Sequence, residues 1–148
     1  MSGILITGGN VIDQTGERRA DVRIAGGIVS EVGQGLTAAD GEQMLDASGC
    51  VVSPGFVDLH AHLREPGTEE AETIETGSRA AAKGGYTCVV AMPNTDPTQD
   101  SVSVIEFVRR QGEAAGLCDV RPAGSITIGR QGQQLSPLAE LADAGVHL

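Results

Sequence analysis

The segment GFVDLHAHLREPG, residues 55–67, brings side chains with metal-binding and anion-binding chemistry close together. His60 and His62 are two residues apart and Arg64 follows two residues later, in a chain with only three histidines. The apolar residues before them predict a β-strand, on which alternate side chains share a face. Two imidazoles on one face can bind one metal ion, and neutral imidazole suits zinc and similar metals.

The histidine pair also has a simpler interpretation. An HxH pattern is short, and two histidines can be ordinary polar residues at the end of a strand. Two imidazoles do not complete a zinc site, which has four ligands, so further carboxylates or histidines would have to come from elsewhere. Asp58 shares the face of the pair by alternation. It is expected either to orient a ligand histidine through a hydrogen bond or to be a plain strand-end residue.

Residues 1–53, the first of two regions, read as short alternating strands joined by turns. ADVRIA and IVSEV are separated by Gly26-Gly27, which predicts a β-hairpin. We interpret this region as part of a small β-sandwich, and it contains no residues whose pattern indicates chemistry.

Residues 54–148 form the second region, in which apolar strands alternate with helices. The strands are GFVDLH, YTCVVAM and CDVRPAGSIT. The first helix is predicted to have Thr68 as its N-cap and Gly84 as its C′ residue, and the second to span Asp100–Ala115. The third is predicted over Ser136–Gly145, and GVHL at 145–148 resembles the start of a fourth strand. This alternation predicts a parallel α/β sheet, in a barrel or a doubly wound fold.

The overall composition excludes several classes of protein. The net charge of −10 opposes nucleic-acid binding, which needs a basic surface. The opening MSGILITGGNVID has no basic segment and no long apolar run, so neither a signal peptide nor a membrane span is predicted. Cys50, Cys88 and Cys118 are widely spaced without a CxxC motif, which predicts buried, reduced thiols in a cytoplasmic protein.

Two sequence blocks carry a resemblance to a known family. PGFVDLHAHLREPG, residues 54–67, resembles the signature of the amidohydrolase superfamily and, within it, of the bacterial-type dihydroorotases that have a β-sandwich beside a barrel. ETIETGSRAAAKGGYTCVVAMPNTDP, residues 72–97, extends the resemblance, with AMPNT as the second block. Hydantoinases and allantoinases share the HxH and are the alternative. A non-catalytic dihydroorotase-like partner of aspartate carbamoyltransferase is a second one, although such proteins are expected to lose the metal ligands.

The resemblance implies a fold class for the whole chain. It implies an α/β protein whose residues 54–148 form the first three βα units of a (β/α)8 metal-dependent hydrolase barrel, preceded by part of a small β-sandwich at residues 1–53. A closed barrel of eight strands takes roughly 200 residues or more, so we expect the chain to be the front part of a larger protein.

The resemblance also implies an activity and its residues. The activity is the zinc-dependent, reversible hydrolysis of dihydroorotate to N-carbamoyl-L-aspartate in cytoplasmic pyrimidine biosynthesis. His60 and His62 are implied as ligands in a site for one or two zinc ions, and His62, Arg64 and Asn94 as substrate-binding residues. No catalytic acid or base is expected within the chain, because the resemblance places it after Leu148 with the remaining ligands. The fragment is therefore expected to be inactive, and His147 is interpreted as structural.

The implied substrate is a small anion, and the implied partners follow from the family. A homo-oligomer is expected at full length, with aspartate carbamoyltransferase as a further partner and neither nucleic acid nor membrane. An arginine fork suits the carboxylate of dihydroorotate. Arg64 could instead form a surface ion pair with Glu65 or Glu69, and Asn94 could cap the turn in PNTDP.

Overall fold

The computed structural model describes residues 3–147, and the chain divides into two compact units, Met1–Pro54 and Gly55–Leu148. The strands are β1 Ile4–Asp13, β2 Gly16–Ala25, β3 Ile28–Gly33, β4 Gln43–Asp46, β5 Val51–Val52, β6 Phe56–Ala61, β7 Tyr86–Ala91 and β8 Asp119–Pro122. The helices are α1 Ile74–Lys83, α2 Val102–Ala115 and α3 Leu138–Asp143, with a short 3-10 helix at Ile128–Arg130. None of the helices among the described residues is long and apolar enough to cross a membrane.

The first unit is built on a five-stranded sheet with the order β3-β2-β1-β4, and β5 also pairs with β1. Strands β1, β2 and β3 are antiparallel neighbours, whereas β4 and β5 run parallel to β1. Gly26 and Gly27 have φ angles of 61° and 80°, the left-handed conformation that a tight hairpin turn requires. The predicted hairpin between β2 and β3 is therefore confirmed.

The buried carboxylate of Asp21 on β2 links β1 to the segment between β3 and β4. Asp21 Oδ1 accepts the backbone N–H of Gly8 at 2.8 Å, and Oδ2 accepts that of Leu36 at 3.0 Å. These two hydrogen bonds favour the charged form and lower the pKa of Asp21. Ala20 and Val22, its neighbours in β2, form a small apolar core with Val11.

The second unit contains a three-stranded parallel sheet with the order β6-β7-β8. Along the chain, helix α1 connects β6 to β7 and helix α2 connects β7 to β8. Its core brings together buried residues from the strands, the two helices and the segment after β6: Leu63, Ile74, Val89, Ala91, Val108 and Val120. Helix α2 approaches β8 closely at Gly112, where an added Cβ would lie 2.5 Å from Cβ of Val120. The predicted alternation of parallel strands with helices is thus present, and the chain is a mixed α/β protein.

The first helix begins later than the sequence predicts. Thr73, rather than Thr68, is the N-cap of α1. In a capping box its hydroxyl accepts the backbone N–H of Thr76, and the hydroxyl of Thr76 accepts the backbone N–H of Thr73. Thr68 instead donates its backbone N–H and its hydroxyl to the carbonyl of Arg64, within a run of turns. At the other end Gly84 is still right-handed, with φ −81°, and the left-handed residue is Gly85.

The later helices differ less from the sequence predictions. Helix α2 ends at Gly116, which has φ 62°, as its sequence predicts. Helix α3 is shorter than predicted, because it contains only Leu138–Asp143. Val146 and His147 lie in no strand, and the last residue of the predicted fourth strand, Leu148, lies outside the described residues.

The cysteines are only partly as predicted. All three are free thiols. Cys88 and Cys118 are half-buried, and burial raises the pKa of Cys88. Cys50 is exposed, so the prediction that all three thiols are buried is wrong for this residue, which follows a surface turn before β5.

Candidate metal and substrate site

The predicted site residues come from the carboxyl ends of two neighbouring parallel strands. His60 lies near the end of β6 and His62 directly follows that strand, while Asn94 follows the end of β7. Pairing continues past the end of β7, because the backbone N–H of Met92 donates to the carbonyl of Ala61 at 2.9 Å. Since parallel strands end at the same edge of a sheet, the two segments leave it side by side.

A bulge in β6 includes His60 and ends just before His62. Three residue steps from Asp58 to Ala61 face only two on β7, from Val89 to Ala91. Asp58 Oδ1 accepts the backbone N–H of His60 at 2.9 Å within this bulge. The carboxylate of Asp58 is therefore bonded to the backbone of His60 and not to an imidazole, which matches the strand-end interpretation of this residue.

The two imidazole rings are separated as two ligands of one ion would be. Their centroids are 5.1 Å apart and the ring planes are inclined at 73°. Zinc lies about 2.0–2.1 Å from a ligand nitrogen, itself about 1.2 Å from the ring centre, so two imidazoles on one tetrahedral ion have centres roughly 5 Å apart. The spacing of the two rings fits that requirement.

Asn94 contacts the second histidine directly. Its Oδ1 lies 2.7 Å from Nδ1 of His62, although 32 positions separate the two residues in the sequence. The side chain of Asn94 thus bonds to His62, whereas Thr95 donates its hydroxyl to Pro97 within the PNTDP turn. His60, His62 and Asn94 form one cluster at the carboxyl edge of the sheet.

Two further contacts hold the segments that carry this cluster. The backbone N–H of Asp96 donates to the carbonyl of Pro66 at 3.0 Å. Gly67 has φ 110°, and an added Cβ there would lie 2.4 Å from the carbonyl oxygen of Asp96. Only glycine suits this position, so the segment after β6 is pressed against the segment after β7.

Gln99, which no sequence pattern singles out, stabilises the segment after β7 through hydrogen bonds. It is fully buried, and its side-chain amide donates to the carbonyl of Met92 at 2.8 Å. Its backbone N–H donates to Pro93, and its carbonyl accepts the N–H of Ser125 after β8. A glutamine inside a polar turn gives no sequence signal of burial, so only the structure reveals this role.

Arg64 is exposed at the start of the segment that follows β6. Its backbone is left-handed, with φ 65°, and its carbonyl accepts two hydrogen bonds from Thr68. Within residues 3–147 the structure shows no hydrogen bond or ion pair to its guanidinium. The alternative ion pairs with Glu65 and Glu69 do not form, because those carboxylates accept backbone N–H groups of Ile74 and Gly67.

The donor set fits zinc in chemistry but is incomplete in number. Neutral imidazole nitrogens are ordinary zinc ligands, and two of them supply half of a tetrahedral shell. Across the described part of the chain, no group of three or more His, Cys, Asp or Glu side chains is placed to hold a metal ion. The arrangement can therefore hold an ion from one side only.

A cleft of about 330 Å³ lies beside His62. Asp58 and Glu72 contribute carboxylates to its lining, and neither Arg64 nor Asn94 belongs to it. Two carboxylates disfavour an anion there. The cleft is therefore poorly suited to an anion.

Comparison with known proteins supplies the family. The family model described as dihydro-orotase-like matches residues 49–148. The chain is 47% identical over 144 residues to a dihydroorotase of Pelobacter propionicus, covering 96% of this chain and 34% of that protein. It is 46% identical over 142 residues to the dihydroorotase of Bacillus subtilis, covering 95% of this chain and 33% of that protein. The chain thus spans about a third of the length of these relatives.

Solved structures supply the fold. The L-hydantoinase (dihydropyrimidinase) of Arthrobacter aurescens matches with a TM-score of 0.83 at 23% identity, over 99% of this chain and 32% of that one. The D-hydantoinase (dihydropyrimidinase) of a Thermus species matches with a TM-score of 0.73 at 28% identity, over 95% of this chain and 31% of that one. Since the family model covers more than half of the residues, the chain belongs to the dihydro-orotase-like family.

Proposed function

We propose that this chain contributes the first zinc ligands and part of the substrate-binding site of a dihydroorotase. The observation that carries the proposal is the cluster of His60, His62 and Asn94, with ring centroids 5.1 Å apart and a hydrogen bond of 2.7 Å. Curated dihydroorotases 44–49% identical to this chain support the choice of substrate. The reaction is the reversible hydrolysis of dihydroorotate to N-carbamoyl-L-aspartate.

The fold proposed for the larger protein follows from the order of the elements. Three parallel strands in sequential order, with a helix after β6 and after β7, match the start of a (β/α)8 barrel. The sheet of the first unit would then be part of a β-sandwich. In barrel enzymes the carboxyl ends of the strands carry the chemistry, and this is where His60, His62 and Asn94 lie.

Each residue receives a role from its chemistry. His60 and His62 would hold zinc, as one ion or as part of a pair. Zinc bound there supplies Lewis-acid polarisation of the amide carbonyl of the ring. The guanidinium of Arg64 would pair with the carboxylate of dihydroorotate, and the amide N–H groups of Asn94 would donate to the same anion. His62 borders both the metal and the substrate.

Other parts of the assignment are also proposals. We place the protein in cytoplasmic pyrimidine biosynthesis, as a homo-oligomer that can also associate with aspartate carbamoyltransferase. Retention of both histidines favours an enzyme over a non-catalytic partner of that transferase. We assign no described residue as the general acid or base, so residues 1–148 by themselves would not turn over substrate.

A chimaera tests the proposal. This chain would replace the matching 142 residues of the Bacillus subtilis dihydroorotase, and ring opening of dihydroorotate would be measured with added zinc. We expect turnover within about tenfold of the parent, and its loss when His60 is changed to Ala, because a missing ligand opens the metal shell. A chimaera that melts cooperatively but does not open the ring would contradict the proposal.

Hydantoinase activity is the second candidate, because the solved structures similar to this chain include hydantoinases. The same chimaera would be assayed with hydantoin and dihydrouracil, which lack the carboxylate of dihydroorotate. If Arg64 and Asn94 bind that carboxylate, dihydroorotate is the preferred substrate by about 1.5–3 kcal/mol, roughly 10- to 150-fold in kcat/KM. A preference for the uncharged rings would favour the hydantoinase alternative.

A further inference from the structure

The contact between Asn94 and His62 determines which ring nitrogen of His62 carries the proton. Asn94 Oδ1 lies 2.7 Å from His62 Nδ1, and a carbonyl oxygen can only accept a hydrogen bond. With Oδ1 of Asn94 facing it, Nδ1 of His62 is assigned as the donor. In a neutral imidazole the other nitrogen, Nε2, then holds the lone pair, which is what a metal ion needs.

We propose that Asn94 is a positioning residue that orients His62 for metal binding through Nε2. This inference rests on the proposed zinc site, and it gives Asn94 a task beyond contact with substrate. The hydrogen bond fixes both the tautomer and the rotation of the ring. Hydrogen-bond partners of this kind are common among metal-binding histidines and strengthen the ligand.

Asn94 is held well enough for this task. It is half-buried, and the segment that carries it is fixed to the segment after β6 by the hydrogen bond from Asp96 to Pro66. Behind it, the fully buried Gln99 donates to Met92 at 2.8 Å. The backbone that carries Asn94 is thus held by its surroundings before any ion is bound, and this lowers the entropy cost of orienting the ring.

One amide can serve two partners here. The carbonyl oxygen of Asn94 faces His62, which leaves the NH₂ group as the donor for an anion. Substitution can separate the two tasks. Asn94→Asp keeps an acceptor for His62 but removes the donor, whereas Asn94→Leu keeps a similar shape and removes both. A residue with a merely structural role would not distinguish these variants by the tautomer of His62.

The first test needs no metal. Residues 1–148 would be produced with ¹⁵N-labelled histidine, and long-range proton–nitrogen spectra would be recorded at about pH 8, well above the ordinary imidazole pKa of about 6.5. The chain has only three histidines, so substitution of each by Gln assigns the signals. We expect His62 to be protonated at Nδ1 in the unsubstituted chain and in Asn94→Asp. In Asn94→Leu we expect that preference to be lost, while the His60 and His147 signals stay in place.

Protonation of His62 at Nε2 in the unsubstituted chain would overturn the inference, and this result requires no variant to fold. An unchanged tautomer in a folded Asn94→Leu chain would overturn it as well. The second test is a titration of the same samples with zinc chloride, followed through the His60 and His62 signals. We expect Asn94→Leu to weaken binding about tenfold and Asn94→Asp to preserve it.

The two tests separate this inference from the proposed function. Protonation at Nδ1 combined with no response of either histidine to zinc would refute the zinc site while leaving the contact intact, and the positioning role would fall with the site. Zinc binding of equal strength in Asn94→Leu and the unsubstituted chain would instead refute the positioning role and leave the zinc site standing.

Discussion

The carboxylate of Glu65 accepts the backbone N–H of Ile74, the first residue of α1, at 2.7 Å. Its other oxygen accepts the side-chain amide of Gln111 on α2 at 3.2 Å. The negative charge lies at the positive end of the α1 dipole and satisfies a donor that has no partner within the helix. Glu65 therefore stabilises the start of α1 and is engaged away from the histidine cluster.

Changing Glu65 to Ala tests this relationship. We expect a loss of about 1 kcal/mol in the free energy of unfolding, the usual effect of removing a helix cap, measured by urea denaturation. Glu70→Ala is the matched control, since Glu70 is exposed and lies in the turns before the helix. Equal stability of the two variants would show that the carboxylate does not support α1.

The start of α1 also shows what the sequence could and could not predict. A threonine followed by several glutamates favours a cap at Thr68, but the true cap pairs Thr73 with Thr76. The first backbone N–H is satisfied by Glu65, nine positions upstream of Ile74. Local patterns cannot reveal that partner, because it depends on how the chain turns after β6.

The closeness of His60, His62 and Asn94 was more accessible to prediction than the helix boundary. The spacing of His60 and His62 in the sequence predicts that they share a face, and parallel pairing predicts that the segments after β6 and β7 meet at one edge. The bulge in β6 and the hydrogen bond between Asn94 and His62 depend on register and loop geometry. Those are set by long-range packing, including the contact of Gly67 with Asp96.

The buried carboxylate of the first unit predicts a pH dependence of stability. The pKa of Asp21 is lowered by the N–H groups of Gly8 and Leu36, so its folded value lies below the unfolded value of about 3.9. The stability it contributes is complete above the unfolded pKa and is lost as the pH falls through the folded pKa. Asp21→Asn should therefore be destabilising at about pH 7 and pH 5, with a smaller effect near pH 3.

Urea denaturation of the unsubstituted chain and of Asp21→Asn, at about pH 7, 5 and 3, measures this effect. Asp40→Asn is a suitable control, because Asp40 is exposed in the turn before β4. A stability difference between Asp21→Asn and the unsubstituted chain that grew as the pH fell would have the opposite sign and would contradict the prediction.

Arg64 is predicted to affect the substrate and not the metal. In the chimaera with the Bacillus subtilis dihydroorotase, Arg64→Met should weaken binding of dihydroorotate by about 1.5–3 kcal/mol, the range for a hydrogen bond to a charged group. Zinc content, measured by atomic absorption, should be nearly unchanged. Arg79→Met is the control, since Arg79 is exposed on α1 and pairs with Glu75. Loss of zinc with unaltered substrate affinity would reverse the assignment.

The last prediction concerns residues 1–148 by themselves. His60 and His62 fill only half of a four-coordinate shell, and the described residues offer no cluster of three ligands. An open pair of imidazoles holds zinc far less tightly than three or four protein ligands do. We therefore expect weak zinc binding that disappears in His62→Gln and persists in His147→Gln, measured by titration with zinc chloride.

The same polypeptide should show no measurable ring opening of dihydroorotate. Weak binding leaves little metal at the site under assay conditions, and the lack of a positioned acid–base group typically costs a further factor of about 10²–10⁴ in rate. The assay compares residues 1–148 with the chimaera at equal concentration and with excess zinc. Turnover by the short chain close to that of the chimaera would mean that its own side chains complete the metal shell. Asp58 and Asp96 would then be the first residues to replace in a search for the further metal ligands, because both lie within or next to the segments that carry the cluster.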